Sequence, residues 1–190
     1  MNIKIALLPG DGIGPEVTQQ AVTVLNKIGE IFNHNFTFVE VLVGAIAIDK
    51  TGNPLPDETI AVCKNADAIL FGAIGDPKYD NNPDAKIRPE QGLLKLRKEL
   101  GLFANIRPIQ AYKTLLDQSP LKKEIIEGVD MVIYRELTGG IYFGEKKLSA
   151  DGKTASDLCQ YHENEIERMA HLAFKAAQNR RNKQIGRAHV

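Results

Sequence analysis

Three stretches of the chain combine residue types and spacings that could support chemistry on a small anion. The first is residues 7–17, LLPGDGIGPEV, where Gly10, Gly12 and Gly14 alternate ahead of Pro15 and Glu16. Glycines at the carboxyl end of a strand let backbone approach a ligand closely, and open α/β sheets bind their ligands at that end. The dinucleotide fingerprint G-x-G-x-x-G is not met, because Pro15 stands where its third glycine belongs. Glu16 puts a negative charge in the first helical turn, favourable to the helix dipole and unfavourable to a phosphate. No acidic residue clearly ends the second strand to take a ribose. A tight strand-to-helix turn and a cleft-lining loop both fit the pattern.

The second group is basic. Arg97 lies in the helical run GLLKLRK, Arg107 directly precedes Pro108, and Arg135 ends the apolar strand 129–134. Guanidinium groups present fixed donor forks that suit carboxylates, so several converging could hold a dicarboxylate. Taken singly, each reads equally as a surface ion-pair partner. The third stretch is residues 135–145, RELTGGIYFGE, where two glycines bend the chain and deliver Tyr142 just beyond a strand end. A tyrosine there is a core or interface residue, or a proton donor if cationic neighbours lower its pKa from about 10.

The elements that must position these residues follow from periodicity. Residues 2–8 read as a buried strand. Pro15 fits the first turn of a helix, and Val17, Ala21, Val24, Leu25, Ile28 and Ile31 recur at helical spacing as its apolar stripe. Residues 36–43 form a second strand, and TGNPLP at 51–56 is turn chemistry. Asp57 is placed to cap a short helix with Ile60, Ala61 and Cys63 on its inner face. Residues 67–72 form a third strand, short, continuous and apolar, as in a covered parallel sheet. This β-α-β-α-β order predicts a parallel sheet flanked by helices. A polar, proline-rich loop follows over 75–90. Beyond it the pattern predicts a helix at 91–100, a strand at 102–111, a helix at 120–127, a strand at 129–135 and a hairpin-like extension from GGIYFGEKK. A strong helix over 164–181 carries Ile166, Met169, Ala170, Ala173, Phe174 and Ala177 on one face. A further strand is due next, of which only the first residues could be present.

Composition narrows the classes. Lys plus Arg and Asp plus Glu balance at 24 each, with 43% hydrophobic residues, which speaks against a general nucleic-acid binder and against a disordered chain. The apolar run of residues 3–8 is too short for a signal peptide, and nothing approaches the roughly 18–20 apolar residues of a membrane span. Cys63 and Cys159 sit outside any CxxC or Cys/His cluster and read as free thiols in a reducing cytoplasm. His34, His162, His171 and His189 lack metal-ligand spacing.

GDGIGPEV, KIRPEQGLLKLRKELGLFANIRP (86–108) and RELTGGIYFGE (135–145) resemble the β-decarboxylating dehydrogenases of the isocitrate/isopropylmalate group, over about residues 3–185. Within that family, the apolar pair Leu93 and Leu94 beside Arg97 resembles the isopropylmalate branch, where isocitrate enzymes present a polar residue. The resemblance implies oxidation of 3-isopropylmalate by NAD and loss of its β-carboxylate with Mg²⁺ or Mn²⁺, a step of leucine biosynthesis. It also implies that Arg97, Arg107 and Arg135 bind the malate carboxylates, that Leu93 and Leu94 contact the isopropyl group, and that Tyr142 protonates the enolate carbon. Ile13, the loop Gly72, Ala73, Ile74 and Gly75, and Glu90 would approach the nicotinamide.

The implied fold is α/β, an open, mostly parallel sheet distinct from Rossmann, in a two-domain plan. Residues 1–100 would begin the first domain, and 101–185 the second, dimerisation and substrate domain with an arm at about 139–160. A homodimer acting on a small molecule is implied, with neither nucleic acid nor membrane as partner. Related substrates (tartrate, isocitrate, homoisocitrate), or a non-catalytic anion-binding or dimerisation fragment, are the alternatives. Residues 186–190 read as a non-native tail in place of the family's V-D-K pattern. The catalytic lysine, the metal-binding aspartates and the adenosine loop are then expected further on, so this chain alone is expected to lack turnover.

Overall fold

The computed structural model describes residues 1–80 and 86–186. It divides into two compact units, residues 1–100 and a second beginning at Gly101.

The first unit is built on β1 (Asn2–Gly10), α1 (Gly14–Phe32), β2 (Asn35–Glu40), α2 (Ala45–Thr51), α3 (Asp57–Lys64), β3 (Ala68–Ala73), the short α4 (Pro77–Asp80) and α5 (Pro89–Glu99). Its strands form an open parallel sheet in the order β2-β1-β3. With β1 central, its apolar run is sealed: Ala6 and Leu8 are fully buried and pack with Val43, Leu55, Cys63 and Leu96. Thr59, buried with them, donates its hydroxyl to the Leu42 carbonyl at 2.7 Å, so its polar atom costs little there.

The apolar stripe of α1 is displaced from the expected one. Val17, Val24 and Ile31 are exposed, while Gly14, Thr18 and Gly29 are buried and Ala21, Val22 and Leu25 half-buried. Small residues face the sheet because the helix sits close to it. A Cβ on Gly14 would fall 2.0 Å from the Pro9 carbonyl oxygen, and Thr18 returns its hydroxyl to the Gly14 carbonyl at 2.8 Å. Two other expectations need correction. Asp57 is the first residue of α3 rather than its cap, Pro56 standing in that place without a side-chain bond, and Ala61 faces solvent. The second strand stops at Glu40, and α2, which the periodicity does not predict, begins five residues later.

The second unit contains β4 (Ala104–Gln110), α6 (Lys123–Ile126), β5 (Asp130–Glu136), β6 (Lys146–Leu148), β7 (Ala155–Asp157) and α7 (Glu163–Gln178), with 3₁₀ segments at Lys113–Gln118 and Gly140–Tyr142. β4 pairs antiparallel with β5, and β6 with β7 as a hairpin. The helix expected over 120–127 shrinks to α6. On α7, Ile166 and Phe174 are exposed, so the inward face narrows to Met169, Ala170, Ala173 and Ala177. Arg180 closes the end of α7 on Asp130 at 2.5 Å. Residues 179–186 carry no strand; the rest of the tail, and 81–85 of the long loop, lie outside the described residues.

Candidate functional site

In the first unit, the carboxyl ends of β1 and β3 and the start of α2 meet at one side chain. Asp11 is 5% exposed. Its Oδ2 accepts the amides of Ala45 (2.8 Å) and Gly75 (3.0 Å), and its Oδ1 accepts that of Ile46 at 2.9 Å. Its own amide donates to the Ala73 carbonyl at 2.8 Å. A buried carboxylate is tolerated when amides satisfy it, and here three do. The fit is tight: a Cβ on Gly44 would lie 2.3 Å from Asp11 Oδ2. Sequence reading passes over Asp11, whose only signal is an acidic residue between two glycines at a strand end.

That clamp places the loop of Gly72, Ala73, Ile74 and Gly75 beside the opening glycine turn. Ile13, at the N-terminus of α1, is 58% exposed beside that turn. Beyond the loop, Lys78 and Tyr79 of α4 both hold Asp49 of α2, at 2.5 and 2.8 Å. The Lys78 ammonium, then the Tyr79 hydroxyl, keep the Asp49 carboxyl below its usual range.

Helix α5 starts beside this loop. Pro89, Gly92 and Leu96 are its buried side. Glu90, Leu93, Leu94 and Arg97 recur at i, i+3, i+4 and i+7, which lines them along a single adjoining stripe. Leu93, Leu94 and Arg97 are half-buried there. The stripe begins beside the loop, since a Cβ on Gly75 would fall 3.4 Å from Glu90 Oε1. Ile13, Gly72 to Gly75, Glu90, Leu93, Leu94 and Arg97 all lie in this unit, and Glu90 borders the loop at Gly75.

In the second unit, Arg135 opposes Asn105 and Arg107 opposes Ile133. Strand alternation therefore puts Arg107 and Arg135 on one face of the ribbon as diagonal neighbours, within reach of each other's long side chains. Arg107 is exposed and Arg135 half-buried. The 3₁₀ turn returns Tyr142 onto Arg135, whose Nη2 donates to the phenol oxygen. The Arg135 Cζ also sits 5.2 Å from the centre of the Tyr142 ring. A guanidinium can only donate, so the tyrosine oxygen accepts and its proton is left for another acceptor.

The turn carrying Tyr142 is tied down by Glu136, a second residue that sequence reading misses. Its Oε2 accepts the amides of Thr138 (2.9 Å) and Gly139 (2.7 Å), and its Oε1 takes the Thr138 hydroxyl (2.7 Å) and Arg168 Nη2 (2.8 Å). Burial pushes the Glu136 pKa up. Hydrogen bonds from the Thr138 hydroxyl, the two amides and Arg168 outweigh it and hold the carboxyl below its ordinary range. Arg168 is braced in turn over the Phe103 ring at 4.6 Å.

Among the described residues, no group of three or more His, Cys, Asp or Glu could hold a metal ion. No helix among them is long and apolar enough to cross a membrane.

Comparison with known proteins matches the isocitrate/isopropylmalate dehydrogenase family over residues 4–189. The chain is 55% identical to a 3-isopropylmalate dehydrogenase of Bacteroides fragilis, over 95% of its own length and 51% of that protein's. It is 54% identical to the Bacillus subtilis 3-isopropylmalate dehydrogenase, over 96% and 51%. Among solved structures it resembles isocitrate dehydrogenase from Methylococcus capsulatus, with a TM-score of 0.76 at 27% identity, covering 94% of this chain and 48% of that one. A β-decarboxylating dehydrogenase from Thermococcus kodakarensis gives a TM-score of 0.64 at 32% identity, covering 94% and 46%. The chain spans about half the length of the curated relatives it matches.

Proposed function

This chain belongs to the isocitrate/isopropylmalate dehydrogenase family, and from that premise we propose that it forms part of an enzyme that oxidatively decarboxylates 3-isopropylmalate to 2-oxoisocaproate in leucine biosynthesis. In this reading Arg97, Arg107 and Arg135 take the two malate carboxylates, and Leu93 and Leu94 accept the isopropyl group. NAD⁺ would receive the hydride from the carbinol carbon. Loss of CO₂ from the β-carbon then leaves an enol whose carbon must gain a proton. Tyr142 supplies that proton, and Arg135 holds the phenol by its oxygen while the proton stays available. The observation that carries the reading is this arginine–tyrosine pair on the same ribbon face as Arg107.

At the nicotinamide end, exposed Ile13 offers an apolar platform, and Gly72, Ala73, Ile74 and Gly75 offer backbone without bulk. Glu90 borders them at Gly75. These residues fit the flat, partly apolar nicotinamide ring. For Mg²⁺ or Mn²⁺ the described residues hold no sufficient donor set of their own. In this reading the metal's ligands belong to the part of the relatives' length that this chain does not span.

The reading also carries a homodimer, supported by the arm hairpin on which Leu148 and nearby Leu158 are exposed at 69% and 47%. A reducing, cytoplasmic setting is supported by two cysteines that remain free. The test is NADH formation with 3-isopropylmalate, NAD⁺ and Mn²⁺, run on this chain and on a version extended to the length of its relatives. Turnover is expected from the extended version and not from the 190-residue chain. Activity on isocitrate or tartrate but not on isopropylmalate would overturn the substrate.

A further inference from the structure

We propose that Asp11 is the positioning residue of the nicotinamide side of the site, acting as a clamp that sets the Gly72 to Gly75 loop against the start of α2. This deepens the reading above and rests on it. The carboxylate is not a free acid or base. Both of its oxygens are occupied, by three amides from two segments far apart in sequence. α2 has no side-chain cap of its own, and Gly44 stands before it with a left-handed φ of 83°. Asp11 therefore does what a capping residue would do, from 34 residues away. Gly75, with φ of 126°, gives its amide to the same oxygen that caps Ala45. The Asp11 amide meanwhile binds the Ala73 carbonyl, so the loop is gripped at both ends by one residue.

The geometry makes the three segments move together. If the carboxylate shifts, Gly75 and the first turn of α2 lose their acceptor at once. Through Asp49, bound to Lys78 and Tyr79, the same α2 also holds the chain that follows the loop. Glu90 borders Gly75, so a shift of Gly75 also changes its spacing from α5. An aspartate is required rather than an asparagine, since the amide of Asn would point donors at donors on one side.

Asp11→Asn tests this in two separable readouts. Amide hydrogen exchange on the chain reports the clamp. Exchange at Ala45, Ile46 and Gly75 should quicken at least tenfold, with Ala6 and Leu8 in the sheet unchanged. Unaltered loop amides, or an equal rise in the sheet amides, would overturn the clamp. Steady-state kinetics on the version extended to the relatives' length report the nicotinamide assignment. KM for NAD⁺ should rise about tenfold while KM for isopropylmalate changes less than twofold. Faster loop exchange with an unchanged KM for NAD⁺ would reject the nicotinamide assignment and leave the clamp standing. Gly44→Ala, which displaces the carboxylate without removing it, should give the same pattern and serves if Asp11→Asn does not fold.

Discussion

Replacing Gly14 by alanine sets two effects of opposite sign against each other. In an exposed helix the change stabilises by up to about 1 kcal/mol, because glycine loses more backbone freedom on folding. At Gly14 the added methyl would sit 2.0 Å from the Pro9 oxygen and 2.9 Å from the Ala73 nitrogen. Both are backbone atoms of strands in the sheet, so no flexible side chain can yield. Overpacking that forces side chains and backbone to shift costs about 1–3 kcal/mol and occasionally more; with backbone on both sides the gross cost should reach about 4 kcal/mol, a net loss of about 3 kcal/mol. With a urea slope of about 2 kcal/mol/M, the midpoint should fall by about 1.5 M. Gly12→Ala is the control: nothing lies within 4 Å of its Cβ, but its φ is 55°. Left-handed strain of about 1 kcal/mol should lower the midpoint by about 0.5 M. Urea unfolding followed by circular dichroism measures both. Gly14→Ala as stable as the parent, or no worse than Gly12→Ala, would refute the close approach of α1 to the sheet.

Other consequences can be checked directly. The depressed Glu136 carboxyl contributes stability that is fully present above its unfolded pKa, ordinarily 4.5, and is lost as pH falls through its lower folded value. The urea midpoint of the parent should therefore exceed that of Glu136→Gln by a constant amount above about pH 5, and the gap should close in more acidic solution; a gap that widens there would contradict it. Leu96→Ala, at a side chain 2% exposed on the inner side of α5, should cost about 2–5 kcal/mol in denaturant titrations. In the extended enzyme, Tyr142→Phe should lower kcat by about 10²–10⁴ while leaving KM for isopropylmalate near its parent value. Arg107→Ala should instead raise that KM far more than Lys27→Ala does, Lys27 being an exposed partner of Glu30 on α1.

Much of the first unit is legible because its strands announce themselves. Ile5 to Leu8 and Ala68 to Phe71 are continuous apolar runs, and Pro15 marks the first turn of α1. The phase of α1 is misjudged from periodicity for a physical reason. Periodicity weighs large apolar side chains, and Val17, Val24 and Ile31 outweigh the small Gly14, Thr18 and Gly29 that close approach requires. Helix α2 is invisible because its cap, Asp11, comes from another loop, and local capping rules look only at neighbours. The same applies to Glu136, which reads as an ordinary charge until Thr138, Gly139 and Arg168 close on it. Within the candidate site, the i, i+3, i+4, i+7 spacing of Glu90, Leu93, Leu94 and Arg97 is readable along one helix. The placing of Tyr142 on Arg135 needs the 3₁₀ turn, which no local signal beyond two glycines foretells.

The proposed activity stands or falls on which substrate is taken at the proposed Arg97, Leu93 and Leu94 stripe. The measurement that tests it most directly is NADH formation by the extended enzyme, comparing kcat/KM for 3-isopropylmalate, isocitrate and tartrate under one set of conditions. An apolar pair filled by an isopropyl group, set against a buried extra carboxylate or hydroxyl, should favour isopropylmalate by at least about a hundredfold. Equal or better turnover of isocitrate or tartrate would contradict it.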